Sequence, residues 1–114
     1  MHELGICDAL LKMLRNVAEE EQLQNVQSIT VEVGTLSGVV PRFLSDCWQA
    51  VIDGTEFAAV DMIVETVEGE AQCIECGERF VADLERLRCP NCGGNKLTPV
   101  SGTDLTLKEI LVAN

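Results

Sequence analysis

Two Cys-x-x-Cys pairs, Cys73-Ile-Glu-Cys76 and Cys89-Pro-Asn-Cys92, stand twelve residues apart in the C-terminal half of the chain. A tetrahedral Zn²⁺ takes four thiolates, and two such turns supply them as ready-made halves. Gly77 and Gly93 follow the second cysteine of each pair. A metal-binding knuckle reverses the chain sharply, and glycine adopts the positive φ needed behind it without steric cost. Phe80, Val81, Leu84 and Leu87 give the intervening loop apolar surface for a small hairpin. Residues 70–98 are therefore expected to form a zinc ribbon whose closed, structural site is Cys73, Cys76, Cys89 and Cys92. A thioredoxin-like redox site would need one reachable pair in a βαβ setting, which neither pair has. A disulfide framework suits a secreted chain. The opening residues do not read as a signal peptide, since no basic segment precedes acidic Glu3.

A ribbon of this size cannot bury enough surface to fold alone. Metal supplies the deficit, since structural Zn²⁺ sites contribute roughly 10–16 kcal/mol of apparent binding free energy in finger peptides. The remainder of the 114-residue chain has enough apolar content for a modest core, and with only 4% aromatics that core is aliphatic. Net charge is −11, unevenly placed. Between residues 73 and 97, Arg79, Arg86, Arg88 and Lys96 balance Glu75, Glu78, Asp83 and Glu85, so the excess lies outside the ribbon. Zinc ribbons that read nucleic acid carry a Lys/Arg excess to neutralise phosphates. This one has none, so nucleic acid is not an expected partner, and basic proteins or cationic metals are. No apolar run reaches membrane-spanning length, and a cytoplasmic location without membrane contact is expected.

Outside the ribbon the hydrophobic periods alternate. Residues 3–20 read as an amphipathic helix: Leu4, Cys7, Leu11, Leu14 and Ala18 line one face, widened by Leu10 and Val17, with Asp8, Lys12, Arg15 and Glu19 opposite. Residues 27–36 alternate as a half-buried strand, with Ile29, Val31 and Val33 on one face and Thr30 and Glu32 on the other. Pro41 opens a second helix running to about Gly54, with Leu44, Cys47, Trp48 and Val51 on its apolar stripe. Residues 60–68 form a second strand and residues 104–112 a third. The third strand's apolar phase slips from Leu105 and Leu107 to Ile110 and Val112, which predicts a bulge near Glu109. Strand, helix, strand favours a parallel crossover. The expected fold is α/β: a small sandwich of two helices on a three-stranded mixed sheet, with an inserted four-cysteine zinc ribbon. One domain then comprises residues 1–69 plus 99–114, and the other residues 70–98. Cys7 and Cys47 fall on apolar helix faces as buried free thiols, and Trp48 is a core residue.

The single histidine is His2, directly after Met1. A histidine near a chain end is most simply an exposed side chain of no consequence. Its position admits a second reading. In Met1-His2-Glu3 the α-amine, the His2 amide nitrogen and the His2 imidazole can close two fused chelate rings, and Glu3 can complete a tetragonal N/O set. That set suits Ni(II) or Cu(II) rather than tetrahedral Zn²⁺. The first amides of a helix have no intrahelical acceptor, so giving one up to a metal breaks no backbone hydrogen bond. The helix dipole favours the resulting anionic nitrogen and the Glu3 carboxylate while opposing the cation. From the residues alone both readings stand.

The opening Met1-His2-Glu3-Leu4, the four-cysteine ribbon ending Cys89-Pro-Asn-Cys92-Gly-Gly and the closing Asp104-Leu105-Thr106-Leu107 together resemble the HypA/HybF family. Those proteins are hydrogenase maturation factors that deliver nickel. The likeness runs through the whole chain, in order and in length. It implies a nickel metallochaperone. His2 would be the essential nickel ligand, supported by Met1 and Glu3, and Cys73, Cys76, Cys89 and Cys92 would hold zinc. It also implies two partners, a hydrogenase-maturation GTPase and the large subunit of [NiFe]-hydrogenase. Some relatives add nickel ligands from the zinc region, and this ribbon contains no histidine to do so.

A carrier needs an exchangeable site with few side-chain ligands, which a terminal His2 provides. An enzyme is not expected, because Ser37, Ser45 and Cys47 have no histidine base nearby. The competing reading is a zinc-ribbon protein-binding adaptor without transferable metal, in which His2 is incidental. A metal-dependent hydrolase working at the N-terminus is more remote, since no water-activating base accompanies that site.

Overall fold

The computed structural model describes residues 2–113, with His2 described by its backbone alone. Along the chain come α1 (His2–Glu20), β1 (Val26–Gly34), α2 (Pro41–Ile52), β2 (Asp61–Val67), β3 (Glu70–Cys73), β4 (Arg79–Val81), β5 (Leu97–Pro99) and β6 (Leu105–Val112). They form two three-stranded sheets, ordered β2-β1-β6 and β4-β3-β5. The fold is the expected one: two helices, a mixed sheet and a four-cysteine module placed between β2 and β6.

β1 is the centre of the larger sheet because it is the strand with a fully apolar inner face: Ile29, Val31 and Val33 are at most 1% exposed. It pairs in parallel with β2, bringing Ile29 opposite Met62 and Val31 opposite Val64. The α2 crossover joining these strands is the strand–helix–strand unit expected from the period changes. On the other side β1 pairs antiparallel with β6, and the register slips between Thr30/Glu109 and Val31/Leu107. Lys108 is therefore the extra residue, one position from the expected bulge. The slip lets Leu105, Leu107 and Ile110 all pack against the core, and a second shift separates the Val26/Val112 and Ser28/Leu111 pairs.

The helices pack over the inner face. In α1 the buried seam runs through Glu3, Cys7, Leu10 and Leu14, with Leu11 beside it. Leu4, expected on this stripe, is exposed instead. It flanks the seam, and Glu3 takes the central position one helical turn before Cys7. In α2 Leu44, Trp48 and Ile52 are buried, and the Trp48 indole N–H donates to the Val60 carbonyl at 2.9 Å. This helix stops at Ile52, two residues short of expectation, because Asp53 turns to an extended conformation (ψ 129°).

Chain direction decides which ends meet. A short connection returns the chain from α1 into β1, so the two are antiparallel neighbours. The Cys7 thiol reaches the Leu44 carbonyl at 3.2 Å, and Arg15 grips Glu56 through two bonds of 2.7 and 2.8 Å. Hence α1 and α2 run side by side in the same sense. The N-terminal end of α1, the end of β1 at Gly34, the end of β2 at Val67 and the start of β6 at Leu105 consequently share one end of the sheet. The smaller sheet leaves and rejoins the chain at that same end. The molecule is elongated, 53 × 25 × 18 Å.

In the smaller sheet β3 is central, with Ala71 paired to Phe80 on one side and to Pro99 on the other. Leu84 and Leu87, read as apolar support for a hairpin, are about half exposed (59% and 48%). Ala71, Ala82, Cys73 and Cys89 are the buried residues instead. A module this small has no room for a leucine core and is organised around its sulfurs.

Candidate metal centre

Each Cys-x-x-Cys turn is closed by its own backbone. The Cys73 N–H donates to the Glu78 carbonyl and the Gly77 N–H to the Cys73 carbonyl, both at 2.9 Å. The second turn repeats the pattern, Cys89 to Gly94 at 2.8 Å and Gly93 to Cys89 at 2.9 Å. Gly77 and Gly93 take φ of 81° and 75°, the left-handed turn their places in the motif require.

The two turns face each other and bring Cys73, Cys76, Cys89 and Cys92 together, their sulfurs all within 4.8 Å of one another. The closest approaches cross between the turns, Cys73 to Cys92 at 3.6 Å and Cys76 to Cys89 at 3.5 Å. Zn–S bonds of about 2.3 Å place tetrahedral sulfurs about 3.8 Å apart, so the donor set fits such an ion. Donors surround it: the Asn91 and Cys92 amides point at Cys89 Sγ at 3.4 Å, and the Asn91 side-chain amide lies 3.6 Å from Cys76 Sγ. Such bonds offset the negative charge that four thiolates leave on a divalent metal.

As bare thiols Cys76 and Cys92 shift in opposite directions. Cys76 is held down to about 7 by the Glu78 backbone hydrogen bond, then by the Asn91 amide and the Cys89 sulfur. For Cys92 a hydrogen bond at Gly94 works downward, yet the neighbouring Cys73 sulfur and burial push it up to about 12. One proton leaves readily and another is retained, because thiolates this close repel unless a cation lies between them.

Of the three residues expected to take nickel, Met1 lies outside the described residues, as does the side chain of His2. Glu3 stands in the first turn of α1, 9% exposed, on the seam against α2 and one turn before Cys7. Cys7 and Trp48 are fully buried, as their apolar stripes indicated, whereas Cys47, also expected to be buried, is only half-buried. Burial, then the negative charges of Cys47 and Glu3, push the Cys7 thiol up to about 12, so at neutral pH it is an inert core group. Asn91 was missed. An amide between the two cysteines of a metal knuckle could have flagged it as a donor to sulfur.

A surface groove of about 730 Å³ lies at the opposite end of the sheet, lined by Ser28, Asp61, Ile63 and Leu111 among others. No helix among the described residues is long and apolar enough to cross a membrane.

A small α/β body carrying a four-cysteine cluster at the end where its first helix begins is the frame of a protein able to bind a metal ion. Its sequence assigns it further. Residues 1–112 match the family model described as HypA, hydrogenase/urease nickel incorporation, metallochaperone. The chain belongs to this family of metallochaperones, which are maturation factors and not enzymes. It is 36% identical over 110 residues to the hydrogenase maturation factor HypA of Prosthecochloris aestuarii, covering 96% of this chain and 97% of the relative. It is 32% identical over 112 residues to HypA of Streptomyces avermitilis, covering 96% and 86%. The solution structure of the Ni metallochaperone HypA from Helicobacter pylori superposes with a TM-score of 0.67 over all of both chains, at 16% identity. That likeness supports the shared fold.

Proposed function

We propose that this protein binds Ni(II) through Met1, His2 and Glu3 at the head of α1 and delivers it for [NiFe]-hydrogenase maturation. The four cysteines hold a resident Zn²⁺ that gives the ribbon its shape. Residues 1–69 and 99–114 act as the nickel-binding domain and residues 70–98 as the zinc domain. The Met1 amine and the His2 amide and imidazole chelate nickel, and the Glu3 amide or carboxylate completes the set. The single observation that carries this reading is the match over residues 1–112, which takes in Met1-His2-Glu3 and all four cysteines in one nickel-incorporation family. A hydrogenase-maturation GTPase and the hydrogenase large subunit are the partners this role calls for, in the cytoplasm where such enzymes are assembled.

The α-amine, with a reference pKa near 8, must lose its proton to ligate, so nickel affinity rises with pH through neutrality. The testing variant is His2→Ala, titrated with Ni(II) by calorimetry beside wild type, with zinc content and melting measured on the same samples. Nickel binding is expected to be lost while zinc content and melting stay as they were. Unchanged nickel stoichiometry would leave the chain a zinc-ribbon adaptor without transferable metal. Acetylating the N-terminus should weaken binding too, through the amine.

A further inference from the structure

Three passes of the chain cross where the smaller sheet joins the larger one: residues 34–36 leaving β1, residues 67–70 entering β3, and residues 100–104 entering β6. A glycine stands in each pass, and none of the three has room for a side chain. A Cβ on Gly34 would overlap the Gly102 carbonyl, and one on Gly102 would overlap the Gly69 backbone. A Cβ on Gly69 would come within 2.7 Å of both the Leu36 side chain and the Ser101 carbonyl oxygen. Gly102 also has φ 74°, which alone disfavours any other residue.

The close approach permits a continuous set of hydrogen bonds across the passes. Gly34 donates to Asp104 at 2.9 Å, Thr35 to Val67 at 2.9 Å and Leu36 to Gly102 at 2.8 Å. The Gly69 amide donates to the Thr35 hydroxyl at 2.9 Å, tying the outgoing strand to the loop that leads into α2. Beyond the crossing Ala82 donates to Gly69 at 2.9 Å and Val100 to Glu70 at 2.8 Å, so the bonding runs on into the ribbon. Linkers between independent modules are solvated and make few such bonds.

We infer that Gly34, Gly69 and Gly102 are positioning residues: their stacked backbones form a rigid joint that holds the four-cysteine ribbon in a fixed station at the end of the sheet where α1 begins. Spreading the passes by the radius of one methyl group breaks the bonds between them and frees the ribbon to swing. The geometry stands without nickel. Only its use, keeping the ribbon beside the loaded N-terminus during handover, rests on the function proposed above.

The test is residual dipolar couplings on the zinc-loaded protein, with zinc content measured in parallel. In the wild type one alignment tensor is expected to fit the amides of both sheets. In Gly34→Ala the ribbon's couplings should lose agreement with the body's tensor while each sheet still fits its own and zinc content is unchanged. Gly69→Ala, whose nearest obstacle is partly the movable Leu36 side chain, gives the same reading should Gly34→Ala not fold. Gly5→Ala has no heavy atom within 4 Å of the added methyl and should keep the single tensor. A merely structural role would lower melting without separating the tensors. Two tensors in the wild type, or one shared tensor in the folded alanine variants at Gly34 and Gly69, would overturn the inference.

Discussion

Cys7 sits at the centre of the α1–α2 seam with its thiol on the Leu44 carbonyl, and burial pushes it from 9.0 up to about 12. A group whose folded pKa is raised contributes stability that is complete below its unfolded pKa and is lost as pH climbs toward the folded one. Zinc-loaded wild type should therefore lose stability between about pH 9 and pH 12, and Cys7→Ala should flatten that limb relative to wild type in urea unfolding across the range. Trp48 is the other residue on which the core turns. Trp48→Phe removes ring volume and strands the Val60 carbonyl, and it should cost about 2–3 kcal/mol by denaturant unfolding. Both were legible from the apolar stripes, because a thiol and an indole at helical spacing belong to the core whatever else they do. The burial of Glu3 was not. A carboxylate beside Leu4 reads as the solvated neighbour, and only the path of the seam across α2 reverses the pair.

At the level of the element, β6 shows what periodicity can and cannot say. Leu105 and Leu107 are out of phase with Ile110 and Val112, which announces a bulge but not which residue is extra. Register with β1 identifies Lys108, whose ammonium then lies 2.9 Å from Glu65 and 3.8 Å from Glu32. Removing Lys108 would leave Leu105, Leu107 and Ile110 in one alternating phase, all inward. The deletion should therefore fold with a loss of about 1 kcal/mol or less, since exposed ion pairs contribute little. Deleting Thr106 instead turns Leu105 to the outer face and should cost about 1.5–3 kcal/mol. Comparing urea midpoints of the two deletions checks the register. The ribbon's cysteine cluster was legible for the opposite reason: paired spacing announces it, whereas the loop leucines that suggested a hairpin core stay about half exposed.

Across the whole molecule, what the sequence hid is the joint. Gly34, Gly69 and Gly102 lie far apart in the chain, so local pattern offers no sign that they stack. Their arrangement also decides how loss of metal propagates. The ribbon's buried residues are two alanines and two of the cysteines, too little apolar surface to hold three short strands without an ion. The body has a core of its own, built from α1, α2 and the larger sheet. Chelating the metal, or replacing Cys89 by Ser, should then melt β3, β4 and β5 while Trp48 stays buried. Hydrogen exchange reads this directly: amides of Ala71 and Gln72 should lose protection, and those of Ile29 and Val31 should keep theirs. The informative amides are Leu36 and Gly34, which donate across the joint to Gly102 and Asp104. A rigid joint predicts that they lose part of their protection with the metal, although they lie on the body side. A loosely tethered ribbon predicts that they do not change, so the exchange of these two amides measures how far the cysteine cluster is felt along the chain.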